Sequence, residues 1–274
     1  MSEIEFSVLL SVYSKEEPEY LDQALKSVWV NQTLKPNEIV IVKDGPLTQE
    51  LELVIDNFAE NAPVQIVSIA KNGGLGKALA LGVTKCSYEI IARMDSDDIS
   101  THDRFEKQIP IFTKDKIDVL SSWSSFFEKD INNTIATKKR PEFDAEIKSF
   151  AKKRSPVCHA SCILRKSAIL KAGNYQHFPL YEDYDLWVRM IMTGAKFYNL
   201  QDYVYLIRTS DGQFGRRGGL KYLITEIRAQ NKFRKLGFLK WNESAKNIMI
   251  RVIVRLSPNF IRKRIYKIIW SRNN

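Results

Sequence analysis

The chain has 274 residues, of which 44% are hydrophobic, which suffices for one large domain with a full core and, at most, an appendage. No run of about 18 apolar residues occurs, and the acidic N-terminus lacks the basic-then-apolar layout of a secretion signal. We therefore expect neither a transmembrane helix nor export. Three cysteines form no disulfide framework, which indicates a reducing compartment.

The formal net charge of +10 is unevenly distributed along the chain. Residues 215–274, the basic tail, hold 16 Lys and Arg and two Glu, whereas residues 1–214 hold 26 basic and 30 acidic side chains. Such a tail predicts a negatively charged partner, which could be anionic lipid, nucleic acid or an acidic substrate. A merely solvated basic surface is the alternative.

Short apolar runs alternate with helical patterns in the first half of the chain. The apolar runs predict strands at residues 6–13, 38–43, 64–69 and 88–94. The periodic segments between them predict helices at residues 18–30, 47–58 and 76–84. This alternation is typical of an α/β fold whose mostly parallel sheet has helices on both faces.

Polar residues stand at the carboxyl ends of three of these strands. They are Ser11-Val12-Tyr13, Asp44-Gly45 and Asp95-Ser96-Asp97. Ligands bind beyond the carboxyl ends of the strands in such sheets. An Asp-Gly pair alone is usually only a turn, so it is the convergence of the three segments that predicts a nucleotide site.

The stretch Asp95-Ser96-Asp97-Asp98, the acidic turn, follows the apolar run that ends at Met94. Carboxylates at a buried strand end repel one another and resist desolvation. A hard cation such as Mg2+ or Mn2+, carrying phosphate oxygens, would relieve both problems. The alternative is a solvated turn that caps the next helix.

The pattern loosens beyond residue 100. Helices are expected at residues 104–114, 144–151, 166–172 and 182–193, and from Gly218 onward. Strands are expected within residues 117–127, at 161–165, and as two short segments in 196–208. Residues 129–143 are polar and predict a loop.

A second acidic cluster opens the helix predicted at residues 182–193. Glu182 and Asp183 fall in its first turn, where the helix dipole favours anions. Ordinary N-terminal helix charge would explain them. The functional alternative is a general base that faces the metal site across a cleft.

Two familiar motifs fail on spacing. The segment 71–78 has Lys71 where a phosphate loop needs its first glycine and Ala78 where it needs a hydroxyl. We therefore predict a flexible loop that opens a helix and whose backbone could approach a ligand closely. Cys158 and Cys162 have no second pair of zinc ligands, which disfavours a zinc site.

Three further side chains allow two interpretations each. His159 is either a polar core residue or part of an acceptor-binding surface. Arg93 and Arg104 flank the acidic turn. They form either structural ion pairs or contacts with a diphosphate.

Taken together, four blocks resemble the family 2 glycosyltransferases with a GT-A fold, over roughly residues 5–210. The blocks are the first strand and helix (6–33), the second strand (38–45), the acidic turn with its flanks (91–108), and the segment 182–189. Their order and spacing are more specific than any one block.

The resemblance implies an inverting transfer of a hexose, with a UDP sugar as the default donor. Donor nucleotide binding would fall to Ser11, Val12, Tyr13, Asp44, Arg93, Asp95 and Ser96. Further donor or acceptor contacts would come from Arg104, His159 and Glu182. Asp97 would ligate Mn2+ or Mg2+ at the diphosphate, and Asp183 would be the base. One departure is Leu81, because relatives often carry Asn before the following glycine.

The resemblance assigns residues 1–214 to the GT-A domain and leaves the basic tail as a helical extension. In residues 259–270 four isoleucines share one helical face, opposite Lys263, Arg264 and Lys267. This suits an interfacial helix on an anionic membrane, or else a helix packed on the catalytic domain. We expect a cytoplasmic enzyme, peripheral on the inner face of the plasma membrane. Its acceptor would be a lipid-linked saccharide in O-antigen or exopolysaccharide assembly.

Two other functions are less well matched by the residues. A sugar-1-phosphate nucleotidyltransferase would show a basic, Gly-rich loop after the first strand, where Ser14-Lys15-Glu16-Glu17-Pro18 stands. A nucleic-acid-binding protein could use the basic tail and its aromatic residues, but the tail holds no recognised binding motif. We therefore expect no nucleic-acid partner.

Overall fold

The computed structural model describes residues 4–209 and 220–257, and a nine-stranded mixed sheet lies at its centre. The strands are β1 (Phe6–Val12), β2 (Glu38–Asp44), β3 (Val64–Ile69), β4 (Ile90–Met94), β5 (Ile99–Ser100), β6 (Val119–Phe127), β7 (Ala136–Lys138), β8 (Ile163–Arg165) and β9 (Phe197–Arg208). Their order in the sheet is β3-β2-β1-β4-β8-β6-β9-β5, and β7 pairs with β6.

The helices of the described residues are α1 (Pro18–Val28), α2 (Gln49–Ala59), α3 (Leu75–Lys85), α4 (Arg104–Lys114), α5 (Asp144–Ala151), α6 (Lys166–Lys171), α7 (Glu182–Met192), α8 (Leu220–Lys235) and α9 (Trp241–Leu256). Pro18 occupies the first turn of α1, where its missing N–H costs nothing. The Thr48 hydroxyl caps α2 by accepting from the Leu51 N–H. None of these helices is long and apolar enough to cross a bilayer.

The parallel half of the sheet has a core on each face, because alternate residues of a strand point to opposite sides. Phe6, Val8 and Leu10 of β1 pack against α1 and α4, whereas Leu9 packs towards α3. Gly82 lets α3 approach the sheet closely, since a Cβ there would lie 2.9 Å from Val42 Cγ2. This packing fixes the carboxyl ends of β1, β2 and β4 along one edge.

Two sequence predictions in the second half of the chain are wrong. Residues 129–143 contain β7, which pairs antiparallel with β6. Residues 196–208 form one strand, not two, and its pairing with β6 shifts in register near Trp123. Both features depend on β6, a partner distant in the sequence. The predicted α/β class with helices on both faces is confirmed, although β5, β7 and β8 pair antiparallel with their neighbours.

The described part of the basic tail is helical and packs on α7. Helix α8 and the turn that follows it contribute to a small apolar cluster of Tyr181, Tyr184, Val188, Ala229, Phe233 and Leu239. The Lys232 ammonium also reaches the fully buried Asp185 carboxylate of α7, at 2.6 Å. The predicted domain boundary at residues 214 and 215, and the predicted amphipathic helix 259–270, lie outside the described residues.

Candidate active site

Three parallel strands bring the predicted polar segments to one edge of the sheet. β1 pairs with both β2 and β4, so that Ser11 lies opposite Val42 and Leu10 opposite Met94. Val12, the last residue of β1, is buried, and Tyr13 after it is exposed. The strand ends therefore converge as the parallel topology predicts. The contacts of these residues with a nucleoside stay a prediction.

Asp44 at the end of β2 holds the glycine loop that opens α3. Its two carboxylate oxygens accept from the backbone N–H groups of Gly73 (2.7 Å) and Gly74 (2.9 Å). Gly45 has φ +91°, and a Cβ there would lie 2.8 Å from the Asn72 nitrogen, so only glycine fits without strain. Asp44 therefore fixes the backbone of the loop that was predicted from its glycines. These hydrogen bonds could not be foreseen from the sequence.

Arg93 and Arg104 lie in the interior of the protein. Arg93 forms an ion pair with Asp95 from below the acidic turn. Arg104 donates to Ser100 Oγ (2.9 Å) and to the Arg93 carbonyl (2.8 Å). Both guanidiniums are buried, and both take part in the structural pairing that was the alternative interpretation. Their contact with a diphosphate stays a prediction.

Like charges surround Asp97 in the acidic turn. Burial, followed by the charges of Asp95 and Glu16, raises the pKa of Asp97 to about 7. Ser96 donates its hydroxyl to Glu16, at 2.6 Å, which holds this third carboxylate beside the turn. Asp98 is buried, accepts from the Arg208 N–H at 2.8 Å, and has a raised pKa because of its burial. The carboxylate of Asp97 is therefore costly to ionise unless a cation is bound.

The donor set of the acidic turn fits a hard divalent cation. Carboxylate oxygens are the ligands that Mg2+ and Mn2+ prefer. Within residues 4–209 and 220–257, no group of three or more His, Cys, Asp or Glu side chains is arranged to hold an ion. A cation here would thus take part of its coordination from a bound diphosphate, as Mg2+ sites commonly do.

Asp183, the candidate base, stands in the first turn of α7 in a contrasting environment. Its carboxylate accepts from the Ser155 hydroxyl at 3.2 Å. Burial raises the pKa of Asp183, while the Arg140 guanidinium opposes that shift. Arg140 in turn donates to the Ser155 carbonyl, at 3.3 Å. A carboxylate with a raised pKa is a better proton acceptor than an ordinary surface one.

The neighbouring Glu182 contacts the start of α3. A Cβ on Gly76 would lie 2.8 Å from Glu182 Cγ, so the two helices touch there. Burial raises the pKa of Glu182 as well. Its predicted contact with donor or acceptor stays a prediction, since the side chain lies between α3 and α7.

His159 and Tyr175 contact each other close to α7. The His159 Nε2 and the Tyr175 hydroxyl are 2.8 Å apart, and the imidazole packs edge-on against Trp187. Burial, followed by the charge of Arg93, lowers the pKa of His159, so the ring is neutral. Tyr175 interacts electrostatically with both Asp183 and Asp95. Tyr175 is therefore close to both acidic regions of the site.

Several side chains of the site were not found from the sequence. Tyr205 of β9 accepts the Asp95 N–H at 3.1 Å, and Arg208 donates to the Asp97 carbonyl at 2.9 Å. Glu16, Arg140 and Ser155 come from separate loops. Only the presence of Glu16 directly after the first strand could have drawn attention to it.

Comparison with known proteins places the chain in a family. The model of the family described as "Glycosyl transferase family 2" matches residues 7–173. A UDP-Gal:alpha-D-GlcNAc-diphosphoundecaprenol beta-1,3-galactosyltransferase from Escherichia coli is 37% identical over 268 residues, which is 97% of each chain. The amylovoran biosynthesis glycosyltransferase AmsE from Erwinia amylovora is 36% identical and covers 96% of this chain and 98% of its own.

Solved structures share the fold at low sequence identity. TarS residues 1–349 from S. aureus, in complex with UDP-GlcNAc, superposes with a TM-score of 0.68 at 16% identity, over 91% of this chain and 72% of that one. The mannosyltransferase PcManGT from Pyrobaculum calidifontis, in complex with GDP-Man and Mn2+, has a TM-score of 0.64 at 15% identity, over 94% and 72%. The chain adopts the GT-A fold and belongs to glycosyl transferase family 2.

Proposed function

We propose that this glycosyltransferase moves a hexose from a UDP sugar to a hydroxyl of a saccharide linked to a lipid diphosphate. The relative from Escherichia coli, named for such a donor and acceptor, matches nearly the whole chain. AmsE, named for the biosynthesis of a polysaccharide, matches it over the same length. Assembly of a surface polysaccharide repeat unit, on the inner face of the plasma membrane, is the proposed setting.

The strand ends are the proposed donor site. Ser11, Val12 and Tyr13 would line the nucleoside pocket together with Asp44, whose remaining lone pairs can accept from a base. Asp95 and Ser96 would contact the ribose or the nucleotide. Asp95 is half-exposed, and its ion pair with Arg93 holds it in place.

Asp97 is the proposed ligand of a divalent cation. Such a cation, when bound, would stabilise the negative charge that develops on the departing diphosphate. The repulsion among Asp95, Asp97 and Glu16 supports this role, because a cation offsets it.

Asp183 is the proposed base. The hydroxyl of an acceptor has a pKa far above neutral and must lose its proton as it attacks the anomeric carbon. Attack on the face opposite the diphosphate inverts the configuration at that carbon. Ser155 would orient the carboxylate of Asp183, and Arg140 would keep it ionised.

The observation that carries this proposal is that one side chain, Tyr175, is near enough to both Asp95 and Asp183 to interact electrostatically with each of them. Asp95 follows β4, on the proposed donor side, and Asp183 lies in the first turn of α7, on the proposed acceptor side. A single displacement needs the donor and the base on opposite sides of the reacting carbon.

A panel of nucleotide sugars tests the proposal. The full chain would be incubated with UDP-galactose, UDP-glucose or UDP-N-acetylglucosamine and a synthetic N-acetylglucosamine diphosphate lipid, with Mn2+ or with a chelator. We expect one donor to give a product one hexose heavier, only with the cation, and with an inverted anomeric configuration by NMR. Retained configuration, or no product from any UDP sugar, would contradict it.

A further inference from the structure

Helix α9 places its polar residues inside and its apolar residues outside. The residues that face the protein include the buried Ser244 and Asn247, followed by Arg251 and Arg255. Asn247 donates to the Lys152 carbonyl at 2.7 Å and to Gln230 at 2.9 Å. This is the reverse of the usual surface helix, whose apolar stripe faces the core.

The outer face of α9, formed by Lys246, Met249, Ile250, Ile253 and Leu256, is largely apolar. Ile253 and Leu256 are each 59% exposed, and Met249 and Ile250 are exposed as well. These positions recur at three- and four-residue intervals and so form one stripe. A monomeric soluble protein rarely leaves such a stripe uncovered.

The surroundings of the outer face are basic. Residues 220–257 hold nine Lys and Arg and two Glu. A shallow groove between α8 and α9 leads up to the face and is lined by Arg234, Trp241 and Met249, among others. Arg251 and Arg255 pair inward with Glu226, whereas Lys246 lies on the outer face and Arg234 lines the groove. Apolar side chains with these cations beside them and an exposed Trp at one end match the interface of a bilayer that contains anionic lipid. Two copies of the face would instead bring like charges together.

The anchor points of α9 place this face beside the proposed acceptor side. Arg251 donates to the Lys153 carbonyl at 2.8 Å, and Asn247 to the Lys152 carbonyl. Ser155, which donates to Asp183, follows two and three residues later. Glu226 of α8 pairs with Arg255 at 2.8 Å and accepts from the Tyr181 hydroxyl next to α7. Hydrogen bonds and ion pairs from the inner side of α9 thus connect this helix to the start of α7, which carries Asp183.

We propose that the outer face of α9 is the surface that docks on the anionic membrane and inserts its apolar side chains between lipid headgroups. The proposal rests on the proposed function in one respect, namely that the acceptor is carried by a lipid. It assigns the docking to hydrophobic insertion by α9, with the basic groups adding attraction.

Vesicle binding by the full chain tests this surface. The variant Met249→Ser/Ile253→Ser/Leu256→Ser would be compared with Val30→Ser/Leu53→Ser/Ile66→Ser, which removes three exposed apolar side chains far along the chain from α9. Flotation with phosphatidylcholine vesicles that contain phosphatidylglycerol gives the partition. We expect the α9 variant to bind about tenfold more weakly or worse, and the control variant to bind like the wild type. Moderate salt should weaken wild-type binding without abolishing it.

Three outcomes would overturn the docking proposal. The first is equal vesicle binding by the α9 variant and the control. The second is a wild-type dimer, seen by sedimentation, that the α9 variant loses, since a second copy would then cover the face. The third is vesicle binding that arises only after removal of residues 258–274, because that segment would then be the occupant.

Activity on a short-chain, water-soluble acceptor separates this proposal from the proposed function. We expect the α9 variant to keep that activity and its stabilisation by UDP, while it loses transfer to acceptor in vesicles. Absence of transfer to every acceptor, with vesicle binding intact, would count against the function and leave the docking surface standing.

Discussion

The acidic turn and the start of α7 use the same side chain in opposite environments. Asp97 is surrounded by the like charges of Asp95 and Glu16. Burial is the largest cause that raises its pKa to about 7, and these two charges are the next largest. Asp183 has a hydroxyl donor in Ser155 and a cation, Arg140, nearby. A bound cation would stabilise the ionised form of Asp97, whereas Asp183 already has a positive charge nearby. Two aspartates can therefore be assigned different tasks from their neighbours alone.

Loss of the base should have the largest effect. Asp183→Asn keeps the shape and the Ser155 contact but cannot accept a proton, so we expect transfer to fall about a thousandfold. Stabilisation of the protein by UDP with Mn2+ should not change, because Asp183 lies on the proposed acceptor side. Thermal shift and turnover would be measured on the same preparation. Near-normal turnover would show that the base is another group.

Asp97→Asn should lower transfer about a hundredfold, since it removes charge from the cation site. In contrast to Asp183→Asn, it should also abolish the difference in UDP thermal shift with and without Mn2+. Asp56→Asn, on the exposed side of α2, is the matched control. If the Asp97 variant kept the cation-dependent thermal shift, another residue of the acidic turn would be the ligand of the cation.

The pH dependence of cation binding should sharpen the contrast. Asp97 is protonated below its pKa of about 7, so cation-dependent UDP affinity should fall as the pH drops through 7. Glu16→Gln removes a charge that raises this pKa, and should therefore move the midpoint to lower pH and increase the affinity below pH 7 a few-fold. Titration calorimetry of UDP with Mn2+ would measure it, with Glu60→Gln as control. If the pH midpoint of UDP affinity did not change, Glu16 would not be acting on the proposed cation site.

The smallest expected effect is that of Ser155→Ala. The lost hydrogen bond lowers the pKa of Asp183 in the wild type, so its removal raises that pKa. The acid limb of kcat/KM should shift to higher pH, and transfer at neutral pH should fall a few-fold. Ser149→Ala, an exposed site on α5, serves as the comparison. A change in UDP affinity instead would place Ser155 on the donor side.

The first half of the fold follows closely from the sequence. β1 to β4 lie within two residues of their predicted bounds, because each is a buried apolar run that ends in polar or turn-forming residues. The second half follows less well. β7 and the continuous β9 exist because they pair with β6, and no local pattern encodes that pairing.

Some residues of the candidate site could be predicted from the sequence and others could not. The carboxylates at strand ends can be predicted, since parallel strands bring their carboxyl ends together. The burial of Arg93 and Arg104 could not be predicted, because a sequence shows that a side chain is charged and not that it is buried. Glu16, Ser155 and Tyr175 come from three separate loops. Their meeting is a product of tertiary packing.

Two glycines allow α3 to pack closely against a neighbour on each side. Gly82 touches the sheet and Gly76 touches Glu182 of α7, each with no room for one more carbon. The loop held by Asp44 continues directly into α3. Helix α3 therefore sets the spacing between the sheet, which carries the proposed donor site, and α7, which carries the proposed base. A single added methyl group at either glycine would have to displace the neighbouring atoms of the sheet or of α7.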